Sequence, residues 1–216
     1  MGLVKRAAVA AADIDTDVAE RRAAGRDVPG LIATLVAPAA DADARRWAAL
    51  DLAGEPEAVH ALCAAVAAEG SRAARDAMLT ALVETGGEDV VRALVVHLRS
   101  AGAELRNAVV EALAQIEATA LVVPELLADP DPDVRILTVM ALASLRSPLV
   151  PSWLLSVVRE DEHANVCGAA LGELAEVGDA SMLAAVETLP ARFPQDPFIA
   201  FAARSVAERL AGREAA

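Results

Sequence analysis

At 216 residues the chain is long enough for one sizeable domain, and its 56% apolar content with only 2% aromatic residues favours close-packed helices over sheets. The formal charge of −13, with Lys5 as the one lysine, argues against a nucleic-acid partner, because such binding depends on clustered Lys and Arg. Neither a long apolar run nor a signal-peptide core is present, so we expect a cytoplasmic protein without a membrane partner.

Residues 1–40 are predicted to cap one end of the fold. Charged residues predict a helix over Asp15–Arg26, and Val28–Val36 is an apolar run around Pro29 that belongs to the same cap. A polar outer face suits the end of a stack of helices, where no further repeat covers it.

From residue 41 to residue 189 the chain repeats one pattern. An arginine followed seven residues later by a leucine occurs at Arg45 and Leu52, Arg75 and Leu82, Arg106 and Leu113, and Arg135 and Leu142, with Cys167 and Leu174 as a weaker copy. The five leucines are spaced by 29 to 32 residues, and an alanine precedes three of them. So steady a period predicts about five stacked helical hairpins, since one hairpin of about 30 residues cannot bury its own apolar faces.

The repeat from Asp129 to Asp161 shows the two helices of a hairpin most clearly. Asp131 predicts an N-cap, and Pro132 fits the first helical turn. Apolar residues at steps of three and four form one stripe: Val134, Leu137, Ala141, Leu142 and Leu145. Residues 146–148 break the pattern, and Leu149–Val158 predicts a second helix that folds back on the first.

Glycine and proline predict the irregular points. Gly86-Gly87 should form the turn inside the second repeat. Pro124 lies in the second helix of the third repeat, Ala118–Ala128, and should kink or shorten it because proline has no amide donor. Pro190–Pro197 predicts a break before a last helix, Phe198–Leu210, so that residues 190–216 form the C-terminal cap.

The repeats resemble HEAT repeats of the short bacterial type, similar to those of phycobilisome lyases. The resemblance is carried by Asp131–Arg135 with Ala141-Leu142, by Leu105-Arg106 with Glu111–Ala114, and by Ala169–Leu174 with Val177-Gly178. It implies an all-α, right-handed superhelix that acts by binding a partner on its surface. It names no substrate, because such repeats occur in many unrelated proteins.

The repeated arginines, Arg45, Arg75, Arg106 and Arg135, allow two interpretations. They could form a ladder for an anionic ligand. Alternatively, each guanidinium binds an acid or a carbonyl of the adjacent repeat, as the resemblance implies, and the structural interpretation is the one we adopt.

No pattern of catalytic or metal-binding residues is found in the sequence. The histidines His60, His97 and His163 do not share a spacing that suits one metal ion, and Cys63 and Cys167 are expected to be small buried apolar residues. We therefore predict neither enzymatic activity nor a cofactor, and no metal site.

The second helices, which line the concave surface in solenoids of this kind, offer a candidate docking surface for a protein. Its predicted residues are Arg92, Val95, Val96, Arg99, Trp153, Leu155 and Arg159; the other interpretation is that their apolar side chains are buried between stacked hairpins. The sequence predicts an adaptor that binds a protein partner with a basic surface, either as a monomer or as a weak homo-oligomer. The alternative is an assembly factor similar to a chromophore lyase, which would bind a small anionic ligand.

Overall fold

The computed structural model describes the backbone of residues 27–214 and the side chains of residues 27–212. The predicted helix Asp15–Arg26 lies outside this part of the chain. Between residues 27 and 214 the secondary structure is entirely helical. The α-helices are α1 Val28–Val36, α2 Ala42–Asp51, α3 Val59–Ala68, α4 Arg72–Thr85, α5 Gly87–Val95, α6 Ala103–Gln115, α7 Val123–Leu127, α8 Pro132–Leu142, α9 Val150–Glu160, α10 Ala164–Val177, α11 Leu183–Arg192 and α12 Pro197–Glu214.

The helices form two compact units whose boundary in sequence lies between Thr85 and Gly86. Unit 1 contains α1 to α4 and unit 2 contains α5 to α12. Gly86 and Gly87 both have positive φ, of 62° and 85°, in a region that residues with a side chain rarely adopt. The predicted glycine turn is therefore confirmed. The organisation of residues 1–216 as one domain stays a prediction.

Aspartate side chains cap the starts of some helices, as the sequence predicts for Asp131. The Asp41 carboxylate accepts a hydrogen bond from the Ala44 amide at 2.7 Å and caps α2. Asp131 caps α8 in the same way through the Asp133 amide, at 2.9 Å, with Pro132 in the first turn.

In unit 2 the helices form two rows. The first helices of successive repeats, α6, α8, α10 and α12, pack side by side. The second helices form the other row: α5 with its 3-10 extension Val96–Arg99, then residues 117–127, then α9 and α11. We call this the second-helix row. The predicted all-α helical-repeat fold is confirmed.

The helices pair differently from the predicted hairpins, in which the two helices of one repeat pack on each other. α9 packs most extensively on α10, the first helix of the following repeat, rather than on α8. In the same way α3 packs on α4 in unit 1 and α11 on α12 in unit 2. An apolar stripe shows which side of a helix is buried but not which neighbour buries it, so the sequence did not determine which helices pack on each other.

The apolar stripe predicted for the fourth repeat is buried along its whole length, from Val134 to Leu145. In unit 2 it contributes to a core that α9, α10, α11 and α12 complete with residues such as Leu154, Leu171, Val186 and Ile199. All of these side chains are less than 9% exposed. Burial of this kind stabilises by about 1.5–3 kcal/mol for each large side chain, so the stack depends on contacts between repeats.

The two irregular points have different outcomes. Residues 117–121 form a 3-10 turn and α7 has only five residues, with Pro124 in its first turn, so the predicted shortening is confirmed. The break predicted to begin at Pro190 starts later, because α11 continues through Pro190 to Arg192. A proline in the last turn removes a single helical hydrogen bond, and burial of the neighbouring Leu189 keeps that turn in place.

Candidate protein-binding surface

Two of the repeated arginines form largely buried, bidentate ion pairs. Arg45 donates from Nε and Nη2 to the Glu69 carboxylate at 2.6 and 3.0 Å, and Arg135 donates to Asp161 at 2.7 and 3.1 Å. Arg135 also binds the Asp129 carbonyl oxygen at 2.8 Å. The hydrogen bond from Arg45 holds the pKa of Glu69 below its ordinary value.

The other two repeated arginines bind backbone carbonyls in the segments between repeats. Arg106 donates to the carbonyl oxygens of Ser100 at 2.6 Å and Ala101 at 3.1 Å, and Arg75 donates to that of Glu69. The structural interpretation of these arginines is therefore confirmed: they hold the segments between repeats.

Cys167 occupies the arginine position of the fifth repeat, and a second residue compensates for the missing guanidinium. The Cys167 thiol lies 3.3 Å from the Asp161 carbonyl oxygen. Arg192, from α11, donates to the same oxygen and to the Val158 carbonyl at 2.6 Å. Burial raises the pKa of the Cys167 thiol to about 11, so it stays protonated at neutral pH.

The first predicted docking group lies on α5 and its 3-10 extension. Val96 is 61% exposed and Val95 is half-buried. Arg99 forms an ion pair with Asp129, at the start of the fourth repeat.

Arg92, on the same helix face, is held by two acids. It donates to Glu88 Oε1 at 2.8 Å and lies 3.5 Å from Glu125, and the hydrogen bond from Glu88 is the main cause that raises the Arg92 pKa. Arg92 and Arg99 are thus largely neutralised by the protein's own carboxylates, which leaves little free positive charge at this first group for an anionic ligand.

The second predicted docking group lies on α9 and is less accessible. Trp153 and Leu155 are half-buried and pack against the core of unit 2. Arg159 is exposed, and among the described residues we find no ion pair for it. Residues 117–127 separate this group from the first one along the second-helix row.

Two exposed apolar residues of the second-helix row were missed by the sequence analysis. Leu121, at the end of the 3-10 turn, is 67% exposed, and Leu149, just before α9, is 52% exposed. Both lie where helical periodicity is interrupted, so the stripe pattern could not place them. Proline at 124 and at 148 was the one available signal.

Other classes of site receive no support from the described residues. Between residues 27 and 214, His, Cys, Asp and Glu form no group that could hold a metal ion. None of the helices described here has the length and apolarity needed to cross a membrane.

A comparison with known protein families gives a match in this chain. The family model of HEAT repeats matches residues 119–207, which run from the 3-10 turn before α7 into α12. Residues 119–207 are therefore similar to HEAT repeats. The matched segment contains the Trp153 group and Leu121 but not the Val96 group. A comparison with curated proteins found no similar sequence. HEAT repeats generally mediate protein interactions, whereas the predicted kinship with phycobilisome lyases stays a prediction.

Proposed function

We propose that this protein is a non-enzymatic adaptor that binds a protein partner on the second-helix row of unit 2. The observation that carries the proposal is the exposure of Val96, Leu121 and Leu149 on three consecutive segments of that row. Large apolar side chains exposed on consecutive elements are typical of interaction surfaces, and HEAT repeats generally serve such interactions.

The docking surface combines these three residues with those predicted from the sequence. It comprises Arg92, Val95, Val96, Arg99, Leu121, Leu149, Trp153, Leu155 and Arg159. Val96 and Leu121 offer apolar area that a partner would bury completely, which is where binding energy usually concentrates. Trp153 and Leu155 already pack on the core, so they can offer only their outer edges to a partner.

The charge of the surface favours a basic partner. Glu88, Glu125 and Asp129 engage two of its three arginines, Arg92 and Arg99, and the chain as a whole carries a formal charge of −13. Opposite net charges accelerate encounter, and this effect weakens as salt screens it. The rate of association with the partner should therefore fall as the salt concentration rises.

The test is an affinity measurement with the partner itself. The full chain is used to capture proteins from the lysate of the source cell, and a stoichiometric partner is then purified and titrated against it. Val96→Glu and Leu121→Glu should each weaken binding about tenfold or more, because a carboxylate would be buried in the interface.

Met140→Glu is the matched control. Met140 is 45% exposed on α8, in the row of first helices, so the same change there should leave the affinity unaltered. Circular dichroism would establish that all three variants keep their helices. Equal affinities for all variants, or an equal loss in the Met140 variant, would contradict this assignment of the surface.

A further inference from the structure

An open groove lies along the outer side of α11 and α12, the last described helix pair of unit 2. Its volume is about 470 Å³. Leu183 and Pro190 of α11 form one wall, and Ala200, Ala203 and Ala207 of α12 form the other. The middle of the groove is therefore apolar, and the small side chains of α12 allow another helix to approach closely.

The groove lies on the side of α12 that faces away from α10. Phe198 and Ile199 face α10, because a Cβ atom added to Gly168 would lie 3.2 Å from the ring of Phe198 and 3.6 Å from Ile199. With 3.6 residues per turn, Ala200 and Ala207 lie on the other side of the helix. In the preceding helix pairs the corresponding side of the first helix packs against the next pair of the stack, as α10 packs against α12.

The edges of the groove carry charges of both signs. Glu187, Arg204 and Glu208 line it and are exposed, and none of the three has an ion pair among the described residues. The other face of α12 differs, since Arg209 there binds Glu176 at 2.8 Å. The charged side chains at the groove are thus available to a molecule that docks in it.

We propose that this groove is a self-association surface, where a second copy of the chain docks its own α11–α12 face across a two-fold axis. A two-fold interface requires a self-complementary surface. In the proposed dimer the axis crosses α12 midway between residues 204 and 208, so that Arg204 of each copy lies opposite Glu208 of the other and the apolar side chains of the two grooves meet. A purely basic or purely acidic partner would match only part of this charge pattern.

The salt dependence of the dimer should differ from that of the protein partner. Each copy carries a formal charge of −13, so two copies repel each other at low ionic strength. Added salt screens that repulsion more than the short contacts at Arg204. Dimerisation should therefore strengthen as salt rises from low to physiological concentration.

Sedimentation equilibrium of the full chain over a range of concentrations tests the proposal. The unaltered chain should show a monomer–dimer equilibrium. Arg204→Glu and Glu208→Arg should each weaken dimerisation about tenfold or more, because like charges would then face each other. An equimolar mixture of these two variants should recover the dimer, since residues 204 and 208 of one copy then face residues of opposite charge at 208 and 204 of the other.

Ser205→Glu is the control, because Ser205 is exposed on α12 but does not line the groove. It should dimerise like the unaltered chain. A monomer at every concentration would overturn the proposal, as would a dimer that survives both charge reversals. If the mixture of variants stays monomeric although each variant is folded, the two-fold arrangement is wrong.

Discussion

Removing one arginine of the repeated pattern should cost stability before it affects binding. Arg135 and Asp161 have side chains that are only 14% and 7% exposed. Arg135→Met keeps most of the apolar stem but leaves the Asp161 carboxylate without its cation. Removing one partner of a buried ion pair costs about 3–5 kcal/mol, and we expect the low end, about 3 kcal/mol, because the Asp161 carboxylate keeps the hydrogen bond from the His163 amide at 2.8 Å.

The assay is urea unfolding followed by circular dichroism, with the free energy of unfolding extrapolated to water. Arg159→Met serves as the control, because Arg159 is exposed and should lose less than about 0.5 kcal/mol. Asp161→Asn and the double variant complete a cycle that should give a coupling of about 1–3 kcal/mol. If Arg135→Met costs no more than Arg159→Met, or weakens partner binding while stability is unchanged, the arginines are a binding feature and our interpretation is wrong.

Three further predictions concern stability and reactivity in the described part of the chain. Burial raises the pKa of Glu173, so ionisation of this side chain opposes folding. Glu173→Gln should therefore stabilise the protein by less than about 1 kcal/mol at pH 7. This gain should disappear when the unfolding curves are measured below about pH 4, where the glutamate is protonated in both states. Gly178→Ala should cost about 1–3 kcal/mol in urea unfolding, because its Cβ atom would lie 2.6 Å from the Leu174 carbonyl oxygen. Burial raises the pKa of both Cys63 and Cys167 to about 11. A thiol reagent at pH 7 should therefore label the two cysteines far more slowly in the folded protein than in urea. Rapid labelling of either thiol in the folded protein would show that it is accessible to solvent.

The fold could be predicted from the sequence because several independent sequence features indicate the same helical repeats. The recurring leucines, the cap at Asp131 and the turn at Gly86-Gly87 all indicate the same helical repeats, and each is found in the structure. The pairing of helices could not be predicted. Each helix here contacts more than one neighbour, and periodicity does not record which of them it packs against most extensively.

The candidate surface was only partly predictable, for a different physical reason. A helical wheel distinguishes inward from outward positions, and it placed Val96 outside correctly. It could not decide whether Trp153 is buried or exposed, because the ring is large enough to reach the core from a position at the edge of the stripe. Leu121 and Leu149 lie where the helices are interrupted, so no wheel applies to them.

The segments between repeats explain why the arginine period fades in the fifth repeat although the fold continues. The acids Glu69, Asp129 and Asp161 each accept the amide of the residue two positions later, at 2.8 to 2.9 Å. At each of these acids the carbonyl oxygen also needs a donor, because it lies at the end of a repeat where no helix supplies one. An arginine in the following first helix usually provides it, but at Asp161 the donors are Cys167 and Arg192, and Arg192 comes from a different helix. The constant requirement is therefore a hydrogen bond to that carbonyl oxygen, which the structure maintains even where the arginine at the expected position is absent.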